Sequence, residues 1–213
     1  QLGLGESTAS ILKALSGKND LGIHTQYMTD GIMDLIQGGN VTNRFKGIHE
    51  GKSIATAAIG TDRLYRFLDD NPAVALLPSD AVHHPRAISA NCRMTAINVA
   101  TAMDLTGQVA ADALPQNHFS GVTGMVDFIH GTGFAEGGRS IIVIPSRSLD
   151  GKASRIVPEL PGGSVLIPRS DVDYVVSEYG AVNLFGKNLQ ERAMAMISLA
   201  HPIFREDLLQ QAK

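Results

Sequence analysis

DLGIHTQYMTDG, residues 20–31, is the stretch on which the reading of this chain turns. A short apolar run, Leu21, Gly22 and Ile23, passes directly into His24, Thr25, Gln26 and Asp30. GIMDLI (31 to 36) follows, with apolar residues at helical spacing. The pattern predicts a strand over 21 to 25 and a helix over 31 to 37. Polar side chains gathered where a strand gives way to a helix stand where open α/β sheets hold their ligands. Gln26 sits in the middle of that junction.

The same alternation continues outward. Strands are expected at 73 to 78 (AVALLP), 95 to 102 (TAINVATA), 140 to 145 (SIIVIP), 164 to 168 (SVLIP) and 173 to 179 (DYVVSEY). Helices are expected at 7 to 16, 61 to 70, 189 to 200 and 202 to 212. Ser7 or Thr8 and Thr61 suit helix caps, and Pro202 suits a first turn. Leu189, Ala193, Met196, Ile197 and Ala200 recur at spacings of three and four, which predicts one buried stripe, with Met194 and Met196 as core filler. Strands interleaved with helices define an α/β chain built on an open, mostly parallel sheet flanked by helices. The glycine-rich centre, 107 to 138, reads as a long irregular loop region, and no linker breaks the chain, so residues 1–213 are taken as one domain.

Bulk composition narrows the function. The 213 residues are 44% hydrophobic, enough for a substantial core, and the net charge is −3 without any dense Lys/Arg run. Nucleic acid and anionic membrane surfaces are therefore not expected partners. The longest apolar runs fall far short of the roughly 20 residues a membrane helix needs. The single cysteine, Cys92, suits a reducing compartment, and a cytoplasmic location is expected. The opening QLGLGES reads like a strand-to-loop junction, as if the chain were a piece of a longer protein.

Several chemistries lack their signatures. His83 and His84 are adjacent, the other histidines show no ligand spacing, and no metal is expected. No Gly-x-Ser-x-Gly elbow and no P-loop lysine occur. The small-residue run Ser120, Gly121, Val122, Thr123 and Gly124 would let backbone amides approach a ligand, and an ordinary loop reads equally well. Glu178, Tyr179 and Gly180 end a predicted strand and would present an acid at a turn. Asp30, Asp104 and Asp127 also adjoin apolar segments, where most acids cap helices or pair with cations.

Together, GKASRIVPEL (151 to 160), DLTGQV (104 to 109), FSGVTGMVDFIHG (119 to 131) and the long stretch from Asp171 to Arg205 resemble the C-terminal half of the acetyl-CoA hydrolase/transferase family. These are family I CoA-transferases of the 4-hydroxybutyrate or butyryl-CoA:acetate type. The resemblance implies a CoA-transferase fold of two similar α/β halves, with the N-terminal half absent here, and at least a dimer. It implies acyl-CoA and a small carboxylate as substrates, with coenzyme A passing through a glutamyl thioester and no permanently bound cofactor. In the family the segment matching residues 22–31 reads much like GIHTEM-SDG, and its nucleophilic glutamate falls on Gln26. Gly121 and Gly124 become backbone donors near the thioester, while Glu178, Tyr179, Gly180 and Lys187 line the CoA cleft.

Departures cluster around that presumed site. The GVGGQ-like loop reads GVTGM (121 to 125), Ala102 stands where glutamate is common, and Glu6 replaces an apolar residue. Three functions follow: a CoA-transferase with Gln26 in the nucleophile's place, an acyl-CoA-binding inactive homologue or subunit, or a thioesterase in which Glu6, Glu178 or Asp30 directs water.

Overall fold

A computed structural model of the chain describes residues 1–5, 7–114, 117–118, 120–160 and 165–212. Glu6 and Ser164 lie outside the described residues. The chain divides into two compact units, Gln1–Ala96 with His130–Arg139, and Ile97–Ile129 with Ser140–Lys213.

In the first unit, helix α1 (Thr8–Leu15) precedes β1 (Tyr27–Met28), α2 (Asp30–Gln37), β2 (Ser53–Ala55), β3 (Ala57–Ala58), α3 (Asp62–Leu68), β4 (Val74–Leu76), α4 (Ser79–Val82) and α5 (Pro85–Ser89). The pairs β1 with β3 and β2 with β4 are both parallel. The strand expected at 21 to 25 is reduced to isolated parallel bridges, Leu21 to Val41 and His24 to Ile54. The regular ladder starts at Tyr27. The cause lies in side chains: Asn43 Oδ1 accepts the Ile23 amide at 2.9 Å, so that donor never enters a ladder. The core of this unit is Met28, Ile32, Met33, Ala55 and Leu64, against which Leu12, Ile36, Phe67 and Val74 pack. Burial of α2 through Ile32, Met33 and Leu35 follows from the apolar face of GIMDLI.

Two cap expectations need correction. Ser7 and Thr61 occupy the positions before α1 and α3, but neither side chain caps its helix. The Thr61 hydroxyl donates instead to Asp30, and the Thr8 hydroxyl to the Gly3 carbonyl.

The second unit carries most of β5 (Thr95–Val99) and then β6 (Ala102–Asp104), β7 (Val109–Ala110), β8 (Ala113–Leu114) and β9 (Asn117–His118). Helix α6 (Met125–Thr132), β10 (Arg139–Val143), β11 (Ile156–Val157), β12 (Tyr174–Ser177), β13 (Gly180–Asn183), α7 (Leu189–Leu199) and α8 (Pro202–Gln211) follow. The main sheet runs β13-β12-β10-β5, with β10 and β12 parallel and β12 and β13 forming an antiparallel hairpin. A smaller sheet runs β11-β6-β7. Buried residues of this unit include Met103, Val109, Ile142, Ile156, Ile167, Val175, Leu184 and Met196.

The single strand expected over 95 to 102 is two. Ala100 donates to Val143, whereas Thr101 donates to Ala110, so the chain leaves one sheet for the other at that peptide. The segment 165 to 168 contributes only a bridge, Ile167 to Val109. The centre is more regular than expected, holding β7, β8, β9 and α6. In α7 the buried face is Arg192, Met196, Ile197 and Leu199. Met194 is 51% exposed and is not core filler: two residues from Met196 is about 200° around a helix, which puts it on the opposite face. Leu189, at the exposed first turn, is 56% accessible and also leaves the predicted stripe.

Candidate functional site

Gln26 lies one residue ahead of β1 and is half-buried. Its carbonyl accepts the amides of Thr56 and Ala57, each at 3.0 Å, so the peptide that follows the side chain is anchored by two bonds. Immediately upstream, His24 is 2% exposed and donates Nε2–H to the Val82 carbonyl at 2.7 Å. Burial pulls its imidazole down to about 4, so it is neutral at pH 7. Asp30 opens α2 four residues downstream. It accepts the Thr61 hydroxyl at 2.6 Å and the Thr61 amide at 2.9 Å, and these two bonds lower its pKa. Asp30 is thus a helix-start acid tied to the start of α3, a structural employment for its carboxylate.

Chemically, residue 26 is a neutral amide. Its nitrogen lone pair is delocalised into the carbonyl, so it donates and accepts hydrogen bonds but does not attack a thioester carbon as a carboxylate does.

The remaining candidates belong to the second unit. Gly124 is buried and its carbonyl accepts the Phe128 amide at 3.0 Å, the first turn of α6. Gly121 is exposed, and a Cβ built there meets no described atom within 4 Å. Neither packing nor a positive φ among the described residues therefore calls for glycine at 121. Gly180 differs: its φ of +141° is a conformation L side chains rarely adopt, and it closes the hairpin opposite Ser177.

Glu178 and Tyr179 form the turn of that hairpin. Both carboxylate oxygens of Glu178 are held by Ser146, at 2.5 Å from the hydroxyl and 3.1 Å from the amide. Burial pushes this acid up, but the Ser146 bonds prevail and hold it below its ordinary value. Tyr179 meets the His201 ring edge-on at 5.6 Å, and the Arg205 guanidinium stands over it at 5.3 Å. Glu178, Tyr179 and Gly180 are therefore brought together with Ser146, His201 and Arg205. Lys187 is exposed, and its backbone amide closes a turn on Leu184.

Sequence reading passed over Asn43, Lys46, Ser146, Arg192 and Arg205. Their partners are distant in sequence, 32 residues for Ser146 and Glu178 and 86 for Arg192 and Thr106, and no local motif announces such pairs. Arg192 is the hub of the second unit. It donates to the carbonyls of Thr106 at 2.6 Å, Arg169 at 2.7 Å and Leu184 at 2.8 Å. Asp104 braces the adjoining turn by accepting from Thr106 and Gln108, each through amide and side chain. The DLTGQV motif is thus a folded turn on a buried arginine.

An open groove of about 1060 Å³ also lies in this unit, bordered by Leu105, Pro158, Leu189, Met194 and Leu209, and none of the anticipated site residues lines it. Among the described residues no three His, Cys, Asp or Glu gather to hold a metal ion, and no helix is long and apolar enough to cross a membrane.

The architecture matches that of solved structures, one of them named a CoA-transferase. RipA from Yersinia pestis superposes with a TM-score of 0.94 at 41% identity, over 99% of this chain and 48% of that one. A 4-hydroxybutyrate CoA-transferase from Porphyromonas gingivalis gives 0.87 at 39% identity, over 99% and 50%. The fold class is therefore the α/β, parallel-rich one expected. The chain belongs to the acetyl-CoA hydrolase/transferase family, whose C-terminal domain model matches residues 60–212. It is 44% identical to the 4-hydroxybutyrate coenzyme A transferase of Clostridium kluyveri over 214 aligned positions, covering 100% of this chain and 50% of the relative. The chain thus spans about half the length of the curated relatives it matches.

Proposed function

We propose that the chain is the C-terminal half of an acyl-CoA:carboxylate CoA-transferase with a small carboxylate acceptor, and that Gln26 occupies the position of its nucleophile. The observation that carries this reading is likeness over the entire chain to relatives that are named CoA-transferases for 4-hydroxybutyrate and for cyclohexane-1-carboxylate. Acyl-CoA and a carboxylate would be its substrates, the family's N-terminal half its structural complement, and a dimer or larger its assembly.

With a glutamate at position 26, CoA would be loaded onto the enzyme in two displacements, which the acceptor carboxylate then runs in reverse to leave as the new acyl-CoA. The carboxylate attacks the thioester carbonyl and CoA leaves as thiolate, giving a mixed anhydride. The thiolate then attacks the enzyme's acyl carbon, leaving a glutamyl-CoA thioester and the free carboxylate product. Backbone amides near Gly121 and Gly124 would receive the oxyanions. The open space around Gly121 supports a glycine kept for close approach of a ligand rather than for packing. The Tyr179–Arg205 pair supports a stacking surface for a planar group of CoA.

A glutamine cannot open that sequence. The neutral amide favours a second reading, an acyl-CoA-binding subunit that supplies recognition without turnover. A thioesterase is the weaker reading, because the carboxylates of Glu178 and Asp30 are each committed to hydrogen bonds with Ser146 and Thr61.

The test is to join the chain to the half its relatives possess, titrate acetyl-CoA by calorimetry and follow CoA transfer to a short carboxylate. Binding with little transfer, and transfer gained by Gln26→Glu, is expected. Absence of binding by every acyl-CoA offered would defeat the reading.

A further inference from the structure

We infer that the open edge of β13 is a self-association surface, at which two copies of the chain pair this strand antiparallel in a register centred on Val182. The inference gives a place to the assembly proposed above and rests on that part of the reading alone. It is independent of the chemistry at position 26.

Strand β13 ends the main sheet and pairs only with β12. The Leu184 amide donates to the Asp173 carbonyl at 2.7 Å, which makes those two residues a hydrogen-bonded pair. Bonded and non-bonded pairs alternate along an antiparallel ladder. Asn183 opposite Tyr174 and Ala181 opposite Val176 are therefore non-bonded pairs, and the N–H and C=O groups of Ala181 and Asn183 point away from the sheet. Among the described residues no backbone or side-chain group pairs with them. Open edges are ordinarily blunted by a charge, a proline or a bulge, and Gly180–Asn183 carries none of these.

Antiparallel pairing about Val182 sets Ala181 of each copy opposite Asn183 of the other, so every open donor meets an open acceptor across a two-fold axis. Side chains agree with this arrangement. Ala181 is small, Asn183 is neutral, and no charge lies between Glu178 and Lys187. These two flanking residues have opposite signs. Glu178 is bound by neutral donors of Ser146 and keeps its charge, and Lys187 is exposed. The antiparallel register brings Lys187 of one copy to the end of the contact where Glu178 of the other stands, whereas a parallel one would gather like charges. Phe185, 77% exposed just beyond the strand, adds apolar surface at each end of a ladder only four residues long.

Sedimentation equilibrium of the 213-residue chain tests this, with Ala181→Lys and Asn183→Pro beside it. A dimer is expected, and each variant should raise its dissociation constant by about tenfold or more with an unchanged far-UV circular dichroism spectrum. Ala181→Lys places a charge on the exposed edge, and Asn183→Pro deletes an N–H that β12 does not use. In a Cys92→Ser background, Val182→Cys should give a disulfide-linked dimer on mild oxidation, because directly opposite non-bonded residues bring their Cα atoms to about 4.5 Å. Lys18→Cys, exposed in the other unit, should not. A monomer at every concentration from micromolar to millimolar overturns the inference together with the proposed assembly. A dimer as tight with Ala181→Lys as without it, or one that Val182→Cys does not link, overturns the inference and leaves that assembly to another surface. A dimer weakened by Ala181→Lys and linked through Val182→Cys, in a chain that binds no acyl-CoA even when joined to the family's N-terminal half, would uphold the inference and defeat the CoA-transferase reading.

Discussion

The side-chain carbonyl of Asn43 accepts the amide of Ile23 at 2.9 Å, three residues ahead of Gln26. Asn43 is 4% exposed and sits at a φ of +56°, where asparagine is among the few residues at ease. Its Nδ2 donates to the Ser53 hydroxyl at 3.0 Å, and Ser53 is fully buried. One residue thus couples the segment bearing Gln26 to β2. Asn43→Ala leaves both partners without their bond, puts alanine at a left-handed φ, and should lower stability by about 2 to 3 kcal/mol. Asn43→Gly accepts the φ and should lose about 2 kcal/mol. Urea denaturation measures both, and an Asn43→Ala loss under about 0.5 kcal/mol would show that these bonds are replaceable by water.

Arg192 serves the second unit in a comparable way. Arg192→Met removes a donor from three carbonyls, of which Leu184 keeps the Lys187 amide, and should cost about 3 kcal/mol, while Arg192→Lys should recover less than half, since a point charge cannot reproduce the planar fork. Gly107 beside it has a φ of +90°, and a Cβ there would lie 2.7 Å from Arg192 Nη2 and 2.8 Å from Leu184 Cδ1. Gly107→Ala should therefore destabilise by about 1 to 3 kcal/mol in the same denaturation assay.

The acid limb of stability should show two windows. His24 falls from 6.5 unfolded to about 4 folded, so the unfolded chain binds the extra proton between those values. Stability is full above about 6.5 and is lost as pH falls toward 4, by about 3 kcal/mol at most. Glu178 is depressed below 4.5, so its contribution is present above 4.5 and lost as pH drops through its lower folded value. Thermal unfolding across pH 3 to 7 tests this. A flat profile between pH 6.5 and 4 would contradict the assignment to His24.

Two glycines should separate folding from ligand binding. Gly121→Ala has open space and should change stability by less than about 0.5 kcal/mol while weakening acetyl-CoA binding. Gly180→Ala must adopt a φ of +141° and should cost about 1 kcal/mol or more in stability. Equal effects of both on denaturation, with none on affinity, would remove Gly121 from the binding loop.

The longer helices were legible because α2, α3, α7 and α8 carry apolar periodicity, turn residues or proline that act locally. Strands of two residues, such as β1 and β3, hold too few positions for alternation to register, and α4 and α5 are too short for a helical stripe. The strand expected at 21 to 25 failed because Asn43, some twenty residues away, takes a ladder donor. At the candidate site, family resemblance picked out position 26. The neutral state of His24, the Ser146 grip on Glu178 and the Tyr179–Arg205 contact depend on tertiary packing, which no local pattern encodes.

The most direct measurement is intact mass after incubation with acetyl-CoA, for the Gln26 protein and Gln26→Glu, each joined to the family's N-terminal half. Gln26→Glu should gain one CoA less one water, and the Gln26 protein should gain no such thioester at position 26. A CoA thioester at residue 26 of the Gln26 protein, or none in Gln26→Glu while acetyl-CoA binds, would contradict the assignment of position 26 as the nucleophile's place.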